Sequence, residues 1–421
     1  MHPKPSNKRL PIYIDLERPH DYFTGGDPVR GTVRVHPTER PHSIKIIFEG
    51  LCKIKIKEGS GKSERTYKDQ MQFFTVALVL FNSETNGESY DIVNRGIEED
   101  GKVALPFATT FPHEVAEDPN THYKPRQGYE HTKGYPLPST VHYEEHIIEY
   151  SLKVYVYKKL ARVPEEIIFL TLPFRPSPPP PTPNALVQPF HPRRSKLTIK
   201  SQLLNPENPQ HPDVLTKLKW ATRSKYYNTI PEASWMLNAQ CPYRLVAGQP
   251  IPISFSFPHS GCTPERSEEP TVYIRQVRVK LTSILEARIP YIGLTGERDI
   301  VKDYPRDVIS KVWLGQGRAL RDGLRLAELG PLTLPSTTPP SFKSYGLRLH
   351  YRIKVVVEGE CAGESFAMDV LRDVCEVVFE RSGQDPPAPP PLETAEATQA
   401  EEILPVYEPA PDYDNVPKKA D

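Results

Sequence analysis

An excess of charge of either sign is missing from this chain. Its 421 residues carry 53 Lys and Arg against 53 Asp and Glu, a formal net charge of zero. Nucleic-acid binders announce themselves with a basic excess or stripe, so that class of partner is set aside. Cysteine is sparse. Cys52, Cys241, Cys262, Cys361 and Cys375 are odd in number, and no two stand at metal-ligand or redox spacing. They read as reduced thiols of a cytosolic protein, with no metal and no cofactor implied. Long hydrophobic runs are lacking too. The longest, near residues 73–81, is about half of the ~20 residues a membrane span needs. The opening Met1-His2-Pro3-Lys4-Pro5 has no apolar core of a secretory signal. A soluble chain is expected, with any membrane contact peripheral and none of it transmembrane.

Proline, by contrast, is abundant, at 48 residues. Each one removes a backbone donor and ends a helix, so helices should be few and loops many. Residues 22–35, Tyr-Phe-Thr-Gly-Gly-Asp-Pro-Val-Arg-Gly-Thr-Val-Arg-Val, show what replaces them. Gly25, Gly26 and Pro28 make a turn. Val29, Gly31, Val33 and Val35 then alternate with Arg30, Thr32 and Arg34, the period of a half-buried strand. Upstream, Ile12, Ile14 and Leu16 alternate in the same way.

This design returns later in the chain. Gly26/Gly248, Pro28/Pro250, Val29/Ile251, Val33/Phe255 and Val35/Phe257 share one offset. Residues 44–50 find a counterpart in 272–281. Leu137-Pro138-Ser139-Thr140 is repeated letter for letter at Leu334-Pro335-Ser336-Thr337. Tyr150-Ser-Leu-Lys-Val-Tyr-Val156 has its counterpart in Tyr351-Arg-Ile-Lys-Val-Val-Val357. Blocks repeated in one order over such a distance predict two similar domains rather than a solenoid. Each half reads as about seven short strands with Pro and Gly turns, the pattern of an immunoglobulin-like β-sandwich.

Two stretches imitate catalytic motifs. Gly59-Ser-Gly61-Lys62-Ser63 resembles the end of a phosphate-binding loop, but the leading glycine is replaced by Ile56 and no helix pattern follows. It reads as a hairpin tip. His142-Tyr-Glu-Glu145-His146 fits a zinc-protease pattern that needs a helix. The sequence continues as an alternating strand, on which the two histidines would stand about 13 Å apart at ~3.3 Å per residue. No catalytic or metal residue is therefore assigned, and the chain is read as no enzyme. The polar stretch between Pro112 and Leu137 reads as a variable surface loop, with a cargo-binding loop as the alternative.

Composition divides the chain. Residues 10–176 form the first sandwich. Residues 177–232 follow as a linker that begins with a polyproline run, includes a small basic cluster at His191-Pro-Arg-Arg-Ser-Lys196, and has strand composition over 196–204. Residues 233–381 form the second sandwich. Residues 382–421 are a proline-rich, acidic tail of low apolar content, expected to be disordered. The tail holds Pro405-Val-Tyr407 and Pro411-Asp-Tyr413. Pro-x-Tyr occurs a third time at Pro11-Ile-Tyr13, inside the opening strand. Chance alone gives roughly two such matches in a chain of this composition. The signal is the clustering of two in the acidic tail.

The Gly-Asp-x-Val-x-Gly-x-Val strand, the Leu-Pro-Ser segment and the Tyr-x-[Leu/Ile]-x-Val-x-Val strand, duplicated in two consecutive sandwiches, resemble the arrestin fold. With the proline-rich tail, the chain is similar to the fungal α-arrestins in particular. The resemblance covers residues 10–176 and 233–381. No residues match the phosphate-sensing polar core of visual and β-arrestins. The resemblance implies an adaptor, cytoplasmic and recruited to plasma membrane or endosomes. It would link the cytoplasmic tails of membrane transporters or receptors to a WW-domain HECT-type ubiquitin ligase, promoting ubiquitination and endocytosis. It also implies the WW ligand: Pro405 and Pro411 on the aromatic groove, Tyr407 and Tyr413 in the adjacent pockets, presented on a pre-extended backbone. The alternative implied function is an arrestin-fold scaffold in pH signalling or endosomal sorting, without ligase recruitment.

Overall fold

The computed structural model describes residues 10–17, 21–85, 88–89, 91–119, 122–159, 164, 166–177, 195–205, 230–264, 268–293 and 296–379. The chain is all-β, with 60% strand and no α-helix among the described residues. Residues Met1–Glu380 form one unit and Arg381–Asp421 another, the latter outside the described residues.

The first sandwich contains β1 (Ile12–Leu16), β2 (Pro28–Val35), β3 (Ser43–Glu58), β4 (Arg65–Asn82), the two-residue strands β5 (Glu84–Thr85) and β6 (Glu88–Ser89), β7 (Val103–Thr110), β8 (Val141–Tyr143), β9 (His146–Tyr157) and β10 (Glu166–Leu172). One sheet runs β1-β2-β7 and the facing sheet β10-β9-β3-β4, with β8 paired to β9. The alternation in β2 places Val29, Gly31, Val33 and Val35 inside and leaves Arg30, Thr32 and Arg34 half-buried. The two inner faces meet in an aromatic knot. The Phe111 ring lies 4.9 Å from Phe48, 5.3 Å from Tyr150 and 4.7 Å from Phe174. Rings at such offset and edge-on distances gain about 0.5–1.5 kcal/mol per pair beyond the area they bury.

The second sandwich contains β11 (Ser195–Lys200), β12 (Glu232–Gln240), β13 (Arg244–Val246), β14 (Ser254–Ser256), β15 (His259–Thr263), β16 (Tyr273–Gly293), β17 (Gly296–Leu314), β18 (Phe342–Lys343), β19 (Leu347–Cys361) and β20 (Glu364–Val378). Its sheets run β11-β12-β14, with β15 on β12, and β13-β20-β19-β16-β17, with β18 on β19. Thus Ser195–Lys200, from the stretch read as linker, is a strand of this sandwich, paired along β12. Several strands are long rather than short, up to the 21 residues of β16. Register shifts at Gly50/Leu51 and Leu281/Thr282 interrupt them. Such bulges let one strand bend and continue instead of ending.

The duplication holds at atomic level. Gly26 has φ +86° and Gly248 φ +84°, the left-handed turn that glycine adopts without Cβ strain. Gly26 N–H donates to Phe111 O at 2.8 Å, and Phe111 N–H returns to Asp27 O at 2.9 Å. Gly248 N–H donates to Leu334 O at 2.9 Å, and Leu334 N–H returns to Gln249 O at 3.0 Å. Leu334 is therefore the counterpart of Phe111, not of Leu137. The true counterpart of Leu137-Pro-Ser-Thr140 is Thr338-Pro-Pro-Ser341. Phe174 N–H donates to Thr140 Oγ1 at 2.8 Å, and Val377 N–H to Ser341 Oγ at 2.9 Å. Tyr150 OH donates to Pro138 O at 2.6 Å, and Tyr351 OH to Pro339 O at 2.5 Å. The letter match was out of register because the first sandwich holds residues 112–136 where the second holds only 335–337.

Candidate functional site at the junction of the sandwiches

The described residues of 112–136 run over the surface, as expected of a loop, but they are anchored at intervals. Val115, Tyr123, Tyr129 and Tyr135 are all buried. The segment leaves the first sandwich and lies along the second as a strap. What it covers follows from strand length. β19 pairs with β16 only as far as Ala287, while β16 and β17 continue pairing to Gly293 and Gly296. The excess is a two-stranded arm. The strap covers this arm from one side, and the β3–β4 hairpin of the first sandwich meets it with Tyr67 against Tyr291, ring centroids 5.1 Å apart.

Arg288 of the arm is fully buried in this joint. Its guanidinium lies 5.6 Å from the Tyr123 ring and 5.5 Å from the Tyr129 ring. Nη2 donates to Lys124 O at 2.7 Å. Nε is 2.9 Å from Asp299 Oδ2, close enough for an ion pair though not aligned as a hydrogen bond. The strap tyrosines act as hydrogen-bond donors: Tyr123 OH to Asp69 at 2.6 Å, Tyr129 OH to Glu286 at 2.8 Å. Burial, then these carboxylates, push both phenols well above their ordinary range.

Beside the strap a cleft of about 460 Å³ opens between the sandwiches. Its apolar wall includes Leu137, Phe342, Leu349 and Val377, and its polar wall Arg244, Lys343, Arg348 and His350. Strand alternation sets part of the polar wall: Arg348 and His350, with Arg352 and Lys354 further along, occupy one face of β19, with Leu349, Tyr351, Ile353 and Val355 buried on the other. Acids stand among the cations: Glu130 and Glu376 also line the cleft. Arg244 stands 3.7 Å from Glu376, and Arg348 4.0 Å from Glu286. Tyr243, donating to Glu376 at 3.1 Å, is pushed up to about 12 by burial and that carboxylate. Burial, then Arg348, holds His350 below its ordinary value. Next to the lining residue Phe379, the Arg175 guanidinium lies 4.6 Å from that ring and 5.1 Å from Tyr22. Charge in the sequence is also distributed unevenly. Residues 381–421 hold nine Asp and Glu against three Lys and Arg, so with 53 of each overall, residues 1–380 carry a net +6. A cleft with a cationic wall and an apolar wall can hold an acidic, partly apolar segment.

The four residues assigned to WW binding, Pro405, Tyr407, Pro411 and Tyr413, lie outside the described residues. The two imitative motifs resolve structurally. Gly61–Ser63 is a single helical turn at the tip between β3 and β4. The two histidines do not lie on one straight strand. Glu144, at φ +54°, turns the chain, so that Tyr143 pairs with His146 and His142 with Ile147. The histidines then occupy opposite faces of a hairpin, His142 exposed and His146 buried. Among the described residues no three His, Cys, Asp or Glu side chains are placed to hold a metal ion, and no helix is long and apolar enough to cross a membrane.

Sequence reasoning missed Arg288, Asp299 and the strap. The one available signal was the density of tyrosine in an otherwise polar stretch, since Tyr123, Tyr129 and Tyr135 follow no strand or helix period. Fold and junction together define an all-β protein of two like sandwiches locked by a reciprocal clasp. Compared with protein-family models and with curated proteins, the chain matches none.

Proposed function

We propose that the chain is a non-enzymatic adaptor of the α-arrestin type. The two-sandwich body binds a cytoplasmic segment of a membrane transporter or receptor, and the tail recruits a WW-domain HECT-type ubiquitin ligase that modifies this cargo for endocytosis. The observation that carries the body's part is the cleft, whose lining combines cations of β13, β18 and β19 with apolar side chains such as Leu137 and Phe342. The two tail motifs support the ligase part. Each Pro-x-Tyr presents a proline to an aromatic groove and a tyrosine to the next pocket at small entropic cost.

The test is capture by WW domains of a HECT-type ligase. The wild-type chain is retained, and Tyr407→Ala combined with Tyr413→Ala abolishes retention. Unchanged capture of the double variant overturns the ligase role. Cargo internalisation that survives deletion of 382–421 favours the alternative scaffold, acting in pH signalling or endosomal sorting.

A further inference from the structure

A second chemical cluster lies on β15, away from the cleft. On a regular strand, residues three apart face opposite sides. His259 and Cys262 do not. Trp235 pairs with His259, Ser234 with Gly261 and Ala233 with Cys262, so Ser260 is an extra residue in the ladder. This bulge turns His259 and Cys262 to the same side. Cys262 Sγ then lies 3.2 Å from His259 Nε2. The other ring nitrogen, Nδ1, is 3.5 Å from Glu269 Oε1. Trp235, itself buried, flanks the imidazole with ring centroids 5.6 Å apart. In the tautomer that carries the proton on Nδ1, on the side of Glu269, Nε2 is the acceptor for the thiol proton. Thiol, base and orienting carboxylate in this order are the arrangement that activates a nucleophile.

Access completes the case. Cys262 is half-buried, whereas Cys52, Cys241, Cys361 and Cys375 are buried. Burial pushes the Cys241 thiol up to about 12, and Cys52 and Cys375 higher, which keeps them protonated and inert.

We propose that Cys262 is a redox-modification site that takes a low-molecular-weight disulfide of the glutathione type, with His259 as its base and Glu269 positioning that base. Sγ–H passes its proton to His259 Nε2. The thiolate attacks one sulfur of the small disulfide. A protein–glutathione S–S bond forms as the glutathione S–S bond breaks, and the departing thiolate takes the proton back from the imidazolium. Cys262 is oxidised, half of the small disulfide is reduced to thiol, and no other reactant is needed.

The size of the effect is bounded. An ordinary thiol is ~3% thiolate at pH 7, so a base that takes its proton can raise the reactive fraction by about 25–30-fold at most. Lower basicity takes back about eightfold in nucleophilicity, leaving about threefold in rate. The experiment treats the reduced full-length protein with glutathione disulfide at pH 7 and follows each cysteine by peptide mass. Cys262 is expected to acquire glutathione while the four buried cysteines do not. His259→Gln should slow the reaction about threefold. Glu269→Gln, on a 69% exposed side chain that does not threaten folding, should slow it less. Slowing by His259→Gln alone retains the base and removes the carboxylate from the site. Equal rates in wild type and His259→Gln, or buried cysteines reacting as fast as Cys262, overturn the proposal.

Discussion

Asp299 Oδ2 receives two arginines from two sandwiches: Arg288 Nε stands 2.9 Å from it and Arg126 Nη1 donates to it at 3.0 Å. Arg288 belongs to the β16–β17 arm, Arg126 to the strap. One carboxylate thus neutralises a buried cation and ties the strap to the arm. Removing one partner of a buried pair leaves the other charged and unpaired, which costs about 3–5 kcal/mol when burial is complete. Asp299 keeps 21% of its side-chain exposure, so a smaller loss applies. Asp299→Asn is expected to lower stability by about 2–3 kcal/mol. Arg288→Met, which removes the cation and retains its length, should cost less. Urea midpoints of both variants measure this, and an Asp299→Asn protein as stable as wild type would contradict the clasp.

The paired tyrosines give a symmetric prediction. Tyr150 and Tyr351 each send a hydroxyl proton to a proline carbonyl twelve residues upstream. Both rings are buried, so phenylalanine fills the space and deletes only the bond. A buried carbonyl left without its donor costs about 1–3 kcal/mol, and the half-buried carbonyl of Pro339 falls toward the low end of that range. Tyr150→Phe and Tyr351→Phe should therefore destabilise by similar amounts, each about 1–2 kcal/mol in urea unfolding. A large effect of one and none of the other would break the equivalence drawn from Thr140 and Ser341.

That equivalence also marks how far the sequence could be read. Alternation at Val29, Val33 and Val35, and the glycines at 26 and 248, were legible because period and turn chemistry are local. The counterpart of Leu137 was not, because identical letters at Leu334 outweighed a register that only hydrogen bonds define. The strap was illegible for a similar reason. Tyr123 and Tyr129 are buried by Arg288, more than a hundred residues away, and no local period encodes that contact. The His259–Cys262 pair depends on a bulge opposite Ser234 and Trp235. A single extra residue changes which side chains meet without changing composition.

His146 supplies a pH dependence. Its ring packs 4.4 Å from Tyr304 of the second sandwich, and Nδ1 is buried with no hydrogen-bond partner. Burial is the main cause that lowers its pKa to about 4; Lys302 adds to the shift and Glu145 opposes it. The folded value lies below the unfolded value of 6.5, so the unfolded chain binds the proton first. The contribution of neutral His146 is whole above pH 6.5 and is lost as pH falls toward 4. The slope is up to about 1.4 kcal/mol per pH unit in that window. His146→Phe should flatten it. Thermal midpoints from pH 7 to 4 read the difference, and parallel profiles for the two proteins would remove His146 from the account.

Two tail motifs should act together when the partner carries tandem WW domains. Tyr407 and Tyr413 are six residues apart, about 19 Å in a polyproline II segment. Where both sites engage at once, avidity adds up to ~10²–10⁴ over one site. Tyr407→Ala or Tyr413→Ala alone is then expected to weaken tandem capture far more than single-domain capture. Titration against one and two WW domains separates the cases. Single variants that lose only about half of tandem binding would show the motifs serving as independent sites.

The cleft makes the last prediction, and it is independent of the tail. Lys343 is exposed on β18, directly opposite Arg348 on β19, so both cations reach the same mouth. An acidic peptide bound there gains from both, and the gain is screened beyond a Debye length of about 8 Å at physiological salt. Lys343→Glu places a carboxylate where the peptide's own acids would lie, and like charges repel instead of attracting. Acidic-peptide binding, followed by fluorescence anisotropy, should fall at least tenfold in Lys343→Glu and more in Lys343→Glu with Arg348→Glu. Wild-type binding should weaken as salt rises, the single variant should respond little, and the double variant, which repels the peptide, should bind better as salt screens that repulsion. WW capture through Tyr407 and Tyr413 should be unchanged in both variants. Peptide affinity that ignores both substitutions and salt would place cargo recognition elsewhere on the body and leave the ligase ligand standing.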